Sequence, residues 1–418
     1  MTTITGRPEL AVETEPGDVG LSADRLGRID RHFARYVDDG RLPGWLVLVA
    51  RRGRIAHLST YGSRDLGTGA PVEVDTLFRL YSMTKPITSV AAMMLYEEAA
   101  LDLRDPISRW LPEFEAPRVY AGGPPSNPVT VPSTEPIRVW HLLTHTAGLT
   151  YGGETHPVEA MYRRQQPSRG GPDGVDLAAA VERWASLPLL FVPGTSWAYS
   201  VATDVLGRLV EVISGVPLDT FFAERILGPL DMRDAAFWVD EERADRLATL
   251  YGPATDGSGK AVELGPDPFR PGLRPPTMFS GGGGLIGTAR DYHRFTQMLL
   301  GGGRLGETRL LGPRTVSFMT RNHLPGGADI DTFGRRVNSE TNREGMGFGL
   351  GFSVTLDPAE AKLTGSAGEY GWGGAASTTF WVDPKEDLTA VFLTQLMPSS
   401  TYPIRPELRS LVYQAIVE

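Results

Sequence analysis

Along residues 21–39, apolar side chains fall at Leu26, Ile29, Phe33 and Val37, three or four apart, with polar and charged residues between them. That spacing predicts one amphipathic helix, and its Ser22-Ala23-Asp24 start supplies an oxygen able to cap the free amides. The pattern then changes period. Residues 45–50 and 55–61 are short apolar runs split by Arg51-Arg52-Gly53-Arg54, which predicts an antiparallel hairpin. Far along the chain, 377–382 and 388–395 flank the turn Asp383-Pro384-Lys385-Glu386-Asp387, and 406–417 carry another helical pattern. Between these ends, from 86 to about 300, helical patterns alternate with Gly- and Pro-rich stretches, the longest being 115–136 and 165–174. Both exceed the usual connection length, so each is either a lid over a site or locally disordered, and the lid is preferred. No internal repeat is present.

These patterns predict an α/β fold of the α+β type, an antiparallel sheet flanked by N- and C-terminal helices beside a mostly helical second lobe. The expected division is a sheet-plus-helix lobe from 1–81 and 290–418 and a helical lobe from 82–289, with the active site between them. A chain of 418 residues is long enough for two such bodies.

Composition narrows the function classes. The chain is 41% hydrophobic and 22% charged, and no stretch approaches the ~18 apolar residues of a membrane span. Residues 1–17 include acidic positions and lack the apolar core of a secretory signal, so a cytoplasmic location is expected unless a leader has been removed. Zero cysteines rule out disulfides and a cysteine nucleophile. A net charge of −9 argues against nucleic acid as a partner.

One contrast in the basic residues singles out a position. Only Lys85, Lys260, Lys362 and Lys385 are lysines among 41 basic residues, and Lys85 alone has a serine, Ser82, three positions before it. Arginine stays protonated in proteins, whereas a buried lysine can lose its proton and act as a base. Ile87, Val90, Ala91, Met94 and Leu95 follow with helical spacing, so Ser82 stands where a helix begins, near unpaired amides and the positive end of the helix dipole. Taken alone, Ser82-x-x-Lys85 also fits an N-cap serine beside a surface lysine.

The surrounding blocks extend the signal. Residues 78–86, the run Trp140-His141-Leu142-Leu143-Thr144-His145-Thr146-Ala147-Gly148-Leu149, and Pro193-Gly194-Thr195-Ser196-Trp197-Ala198-Tyr199-Ser200 together resemble the serine β-lactamase and penicillin-binding-protein superfamily. The resemblance is closest to its class C-like esterase branch, the family VIII carboxylesterases, and runs from about residue 21 onward. It implies a β-lactamase/transpeptidase-like fold, Ser82 as nucleophile, Lys85 and Tyr199 as its proton partners, and no cofactor or metal. Gly371-Trp372-Gly373-Gly374 stands where the superfamily carries its third motif. By the resemblance, the amides of Ser82 and Ala375 form the oxyanion hole, Trp372 walls the acyl pocket, and Gly373 and Gly374 let substrate approach the strand. Val201 replaces the usual asparagine of Tyr-x-Asn, and a neutral indole replaces a cation in the third motif, so both departures favour neutral esters over β-lactams.

Other features carry less. Gly282-x-Gly284-x-x-Gly287 matches a dinucleotide fingerprint formally but lacks the surrounding βαβ unit. His141 and His145 are four apart but have no third metal ligand in view, and they are expected to be structural. Arg163-Arg164 and Arg335-Arg336 are expected on the surface. No Gly-x-Ser-x-Gly occurs, which removes the nucleophile elbow of the α/β-hydrolases.

The sequence therefore predicts a serine carboxylesterase acting on small or short-chain esters through an acyl-enzyme on Ser82. Water is activated by Tyr199, and segments 120–128 or 151–171 rim the cleft. The alternatives are a β-lactamase or D-amino-acid-peptidase-like amide hydrolase, an acyltransferase using the same intermediate, and, least favoured, a non-catalytic acyl-binding protein. The expected partner is a small-molecule ester, with neither nucleic acid nor membrane.

Overall fold

Eight strands form one antiparallel sheet. In chain order they are β1 (Gly44–Arg51), β2 (Arg54–Asp65), β3 (Ala70–Pro71), β4 (Met346–Phe348), β5 (Ser353–Thr355), β6 (Tyr370–Gly373), β7 (Thr379–Asp383) and β8 (Leu388–Thr394). Their spatial order is β4-β5-β6-β7-β8-β1-β2-β3, so the first and last thirds of the chain meet at the centre, where Trp45 faces Thr394 and Val49 faces Ala390. The computed structural model describes residues 10–153, 155–165, 174–265, 272–334 and 344–418. The stretch 165–174 expected to be a lid, Arg335 and Arg336 therefore lie wholly or largely outside the described residues.

Successive side chains on a strand point to opposite faces, which explains why β1 is apolar throughout. Trp45, Val47 and Val49 pack with Leu26, Ile29 and Phe33 of helix α1 (Ala23–Asp38) and with Leu408 and Val412 near the C-terminus. Leu46, Leu48 and Ala50 face the other way, into the core that reaches the helices. Both faces are covered, so the strand carries no polar alternation. Helix α1 begins as expected, with the Ser22 hydroxyl accepting from the Arg25 amide at 3.4 Å. The C-terminal helix spans Ile404–Tyr413, two residues ahead of its predicted start.

On the second face, helix α2 (Thr84–Glu97) is buried along nearly its whole length and lies beside α3 (Ala202–Ser214). The middle of the chain is not purely helical. Arg118–Gly122 and Val129–Pro132 pair as a hairpin inside the stretch expected to be a lid, and Tyr251–Pro253 pairs with Ala261–Glu263. The first hairpin is pinned to the body: the Tyr120 amide donates to Leu189 and the Leu189 amide to Arg118. Its Gly- and Pro-rich ends conceal the alternation of Val129, Thr130 and Val131, which suits a strand. Among the described residues no helix is long and apolar enough to cross a membrane.

Candidate active site

Three short elements place the serine. Phe78–Arg79 pairs antiparallel with Ile286–Gly287, Tyr81 takes a left-handed φ of 46°, and Tyr81–Met83 forms a single 3-10 turn before α2 begins at Thr84. Ser82 therefore sits one turn ahead of the α-helix rather than at its first residue. Pro86 falls inside the first turn, where its missing N–H costs no helical bond. One turn further on, Lys85 is 2% exposed, and its Nζ stands 3.2 Å from Ser82 Oγ.

The amine has two further partners. It donates to the Gly282 carbonyl at 2.6 Å and to the Tyr151 hydroxyl at 3.0 Å. With Ser82 these make three acceptors, the number an ammonium can satisfy. The carbonyl can only accept, whereas the Ser82 hydroxyl can donate or accept. A proton passing from Ser82 to Lys85 thus leaves no buried group unpaired.

Tyr151 is fixed by what lies behind it. Burial, then the Asp204 charge, pushes its phenol well above the ordinary range, and its proton is donated to Asp204. Its oxygen is then left to accept from Lys85. Asp204 is itself buried, which raises its carboxyl, while Lys85 and its hydrogen-bond donors oppose that rise. Its Oδ1 accepts from Ser280 Oγ and, at 2.9 Å, from the Gly282 amide. A Cβ on Gly282 would lie 2.4 Å from Asp204 Oδ2 and 2.8 Å from the Tyr151 hydroxyl. The glycine run that formally resembled a nucleotide loop is needed because backbone passes between the lysine and the buried carboxylate. Arg163 also contributes, donating to the Gly152 carbonyl at 2.7 Å and steadying the loop that bears Tyr151.

Tyr199 occupies the other side of the lysine. Lys85 Nζ lies over its ring, 4.6 Å from the centroid, and the Tyr199 hydroxyl accepts from the Trp372 indole at 3.2 Å. Ser82, Lys85 and Tyr199 are thus brought together, but the phenol hydrogen-bonded to Lys85 is that of Tyr151. Trp372 both walls the cleft and orients Tyr199. Sequence reasoning missed Tyr151 and Asp204. The one local sign was a carboxylate inside the apolar run Val201-Ala202-Thr203-Asp204-Val205-Leu206.

A cavity of about 370 Å³ opens beside these groups, lined by Ser82, Tyr199, Trp372, Ala375, Ile330 and Met346 among others. Tyr120 instead packs edge-on against His156, 4.9 Å between centroids. The two glycines of the third motif line the cavity and are also closely packed against protein. A Cβ on Gly373 would meet the Arg405 guanidinium at 2.4 Å, and one on Gly374 would meet Thr378 Oγ1 at 2.2 Å and the Leu80 carbonyl at 2.4 Å. Val201 is buried in the core, with 1% exposed.

Both singled-out histidines have structural partners. His141 Nδ1 accepts from the Arg138 amide at 3.0 Å, and burial, aided by Arg138, lowers its pKa to about 4. His145 shares a hydrogen bond of 3.2 Å with Ser200, and burial, then the Lys85 charge, holds it well below the usual imidazole range. Of the two, His145 packs against the aromatic wall, its ring 4.9 Å from that of Tyr199.

With this geometry in view, the comparisons are direct. The β-lactamase family profile matches residues 29–414. The chain belongs to the β-lactamase family. It is 39% identical over 367 residues to Protein Rv1367c of Mycobacterium tuberculosis, covering 86% of this chain and 88% of that protein. It is 34% identical to Esterase EstB of Burkholderia gladioli, covering 96% of this chain and 99% of the esterase. Among solved structures, EstCE1, described as a hydrolase with promiscuous acyltransferase activity, superposes with a TM-score of 0.76 at 30% identity, covering 94% of this chain and 98% of its own. This family member is an enzyme of the hydrolase class, and its antiparallel sheet with flanking helices is the fold expected from the sequence.

Proposed function

We propose that the protein is a serine carboxylesterase that cleaves small or short-chain carboxylic esters through an acyl-enzyme on Ser82. The observation that carries this reading is the buried Lys85 amine 3.2 Å from Ser82 Oγ, at a cavity walled by Trp372 and Tyr199. A serine hydroxyl needs an adjacent base to become a nucleophile. Lys85 accepts the Ser82 proton as Oγ bonds to the ester carbonyl carbon. The amides of Ser82 and Ala375 receive the oxyanion, and the positive end of α2 adds to that field.

Collapse of the tetrahedral intermediate breaks the bond to the alcohol oxygen. Tyr199, held by the Trp372 indole through its oxygen, keeps its own proton available for the departing alkoxide. Lys85 then returns the proton it took from Ser82 to the phenolate by way of the entering water, because its Nζ faces the Tyr199 ring and hydrogen-bonds Tyr151 rather than Tyr199. Water enters as the alcohol leaves, gives its proton through Tyr199 to Lys85, and attacks the acyl carbon. Release of the acid restores the Ser82 hydroxyl. Every proton moved in the first half is returned in the second.

The neutral Trp372 and the buried Val201 speak against β-lactam turnover, since the third motif lacks its usual cation and the second its usual side-chain amide. Acyl transfer is a second reading, supported by the relation to EstCE1 and by a cavity large enough for an acceptor alcohol as well as an acyl chain. Intact-mass measurement after a slow ester is expected to show one acyl group on the wild type and none on Ser82→Ala. At equal enzyme, a short nitrophenyl ester should turn over faster than nitrocefin. The opposite order would overturn the assignment. Adding an alcohol acceptor and weighing ester product against acid separates transfer from hydrolysis.

A further inference from the structure

Arg405 lies in the first turn of the C-terminal helix, on an element that plays no part in the chemistry described so far, yet its guanidinium ends at the cavity wall. Its Nη2 donates to the Gly374 carbonyl at 2.8 Å and to the Thr378 carbonyl at 3.2 Å. We propose that Arg405 is a positioning residue that aims the oxyanion-binding amide of Ala375 by clamping the carbonyl of the same peptide unit.

The argument is geometric. In a trans peptide the C=O and the following N–H point in opposite directions, so a Gly374 oxygen held on Arg405 turns the Ala375 N–H away from it. Ser82 and Ala375 both line the cavity, and neither amide makes a backbone hydrogen bond among the described residues. Gly373 is held in β6 by its pairing with Thr379, but Gly374 after it lacks the Cβ that would restrict rotation of the next peptide. Thr378 holds the bend from one side by accepting from the Gly374 amide at 2.9 Å, which leaves the carbonyl of that residue to Arg405. The missing side chain of Gly373 makes room for the clamp, since a Cβ there would sit 2.4 Å from the guanidinium carbon. The Trp-Gly-Gly motif and an arginine some thirty residues later thus form one device. The charge also polarises the peptide, drawing electrons toward its oxygen and leaving the amide a stronger donor as negative charge grows on the substrate.

The inference rests on the reading of Ser82 as nucleophile, so the test begins by separating the two. Wild type should be labelled on Ser82 by a fluorophosphonate; no label sinks the esterase reading and the clamp with it. Given a labelled wild type, Arg405→Met and Arg405→Ala are compared on a matched pair of substrates, an oxoester and its thionoester. The thionoester presents sulfur, a poor hydrogen-bond acceptor, to the oxyanion site. Arg405→Met is expected to lower kcat on the oxoester about 10- to 100-fold, with little change in KM. It should act far less on the thionoester, and added guanidinium ion should restore part of the oxoester rate to Arg405→Ala. Equal losses on both substrates would mark Arg405 as a general support. A rise in KM alone would make it a substrate-binding group. Either result, or an unchanged kcat, overturns the clamp while leaving Ser82 in place. If the Arg405 variants do not fold, Gly373→Ala displaces the guanidinium from the front and must show the same loss of oxoester preference.

Discussion

At the scale of single residues, the site works because each hydrogen-bonding atom around Lys85 has a restricted role. Gly282 O only accepts, Tyr151 is committed to Asp204 as a donor, and Ser82 alone can change direction. Lys85→Arg keeps a charge in the same place but replaces a compact amine with a planar group that does not release its proton. Steady-state assays are expected to show a fall in kcat of about two orders of magnitude or more, with the folded state retained by circular dichroism; retained turnover would remove Lys85 as the base. Tyr151→Phe takes away an acceptor without removing the ring. It should lower kcat by roughly tenfold while leaving KM near its wild-type value, in line with the loss of one well-placed hydrogen bond worth about 1–1.5 kcal/mol. A parallel rise in KM would instead assign Tyr151 to substrate binding.

At the scale of elements, helix termini hold the framework. The helix Ala289–Leu300 starts with a reciprocal cap in which Asp291 accepts from the Thr288 amide at 3.2 Å and hydroxyl at 2.9 Å. Burial raises the Asp291 carboxyl to about 6, against the stabilising effect of its Thr288 bonds. A folded pKa above the unfolded value means that the native state holds its proton more tightly. This group's contribution to stability is therefore complete below about pH 4 and is lost as pH rises through about 6, a swing on the order of 3 kcal/mol. Asp291→Asn keeps an acceptor for Thr288 and cannot ionise, so its melting temperature should gain on wild type between pH 4 and 8. Parallel pH slopes would contradict the assignment. At this scale the sequence was informative where periodicity is local: α1, the β1–β2 hairpin and the apolar body of α2 followed from spacing. It was silent where contacts are distant, because the meeting of Tyr151, Asp204 and Gly282 with Lys85 joins two loops and the first turn of α3, which carry no shared period. The hairpin at 118–132 was hidden for another reason, since its Gly and Pro content suggested a loop, whereas its two arms pair with each other and a bridge to Leu189 fixes them to the body.

For the whole molecule, the two ends of the described chain clasp each other. The Ser22 amide donates to the Ala415 carbonyl at 2.8 Å, the Val417 amide to Gly20 at 3.0 Å, and Arg25 to the Gln414 carbonyl at 2.8 Å. Deleting residues 414–418 removes these bonds but leaves Arg405 and the cleft. Denaturant titration is expected to show a loss of about 2–3 kcal/mol, with kcat close to wild type; an unchanged midpoint would mean that the clasp adds no stability. The pairing of β1 with β8 carries a temporal consequence as well. While the chain is being synthesised, Trp45 and Val47 emerge long before Thr394 and Phe392 exist to meet them, so the central strand spends most of translation as an apolar edge without its neighbour. Such a topology folds late and slowly, and the nascent chain is a natural client for chaperones that shield bare strands until the ribosome delivers the last one.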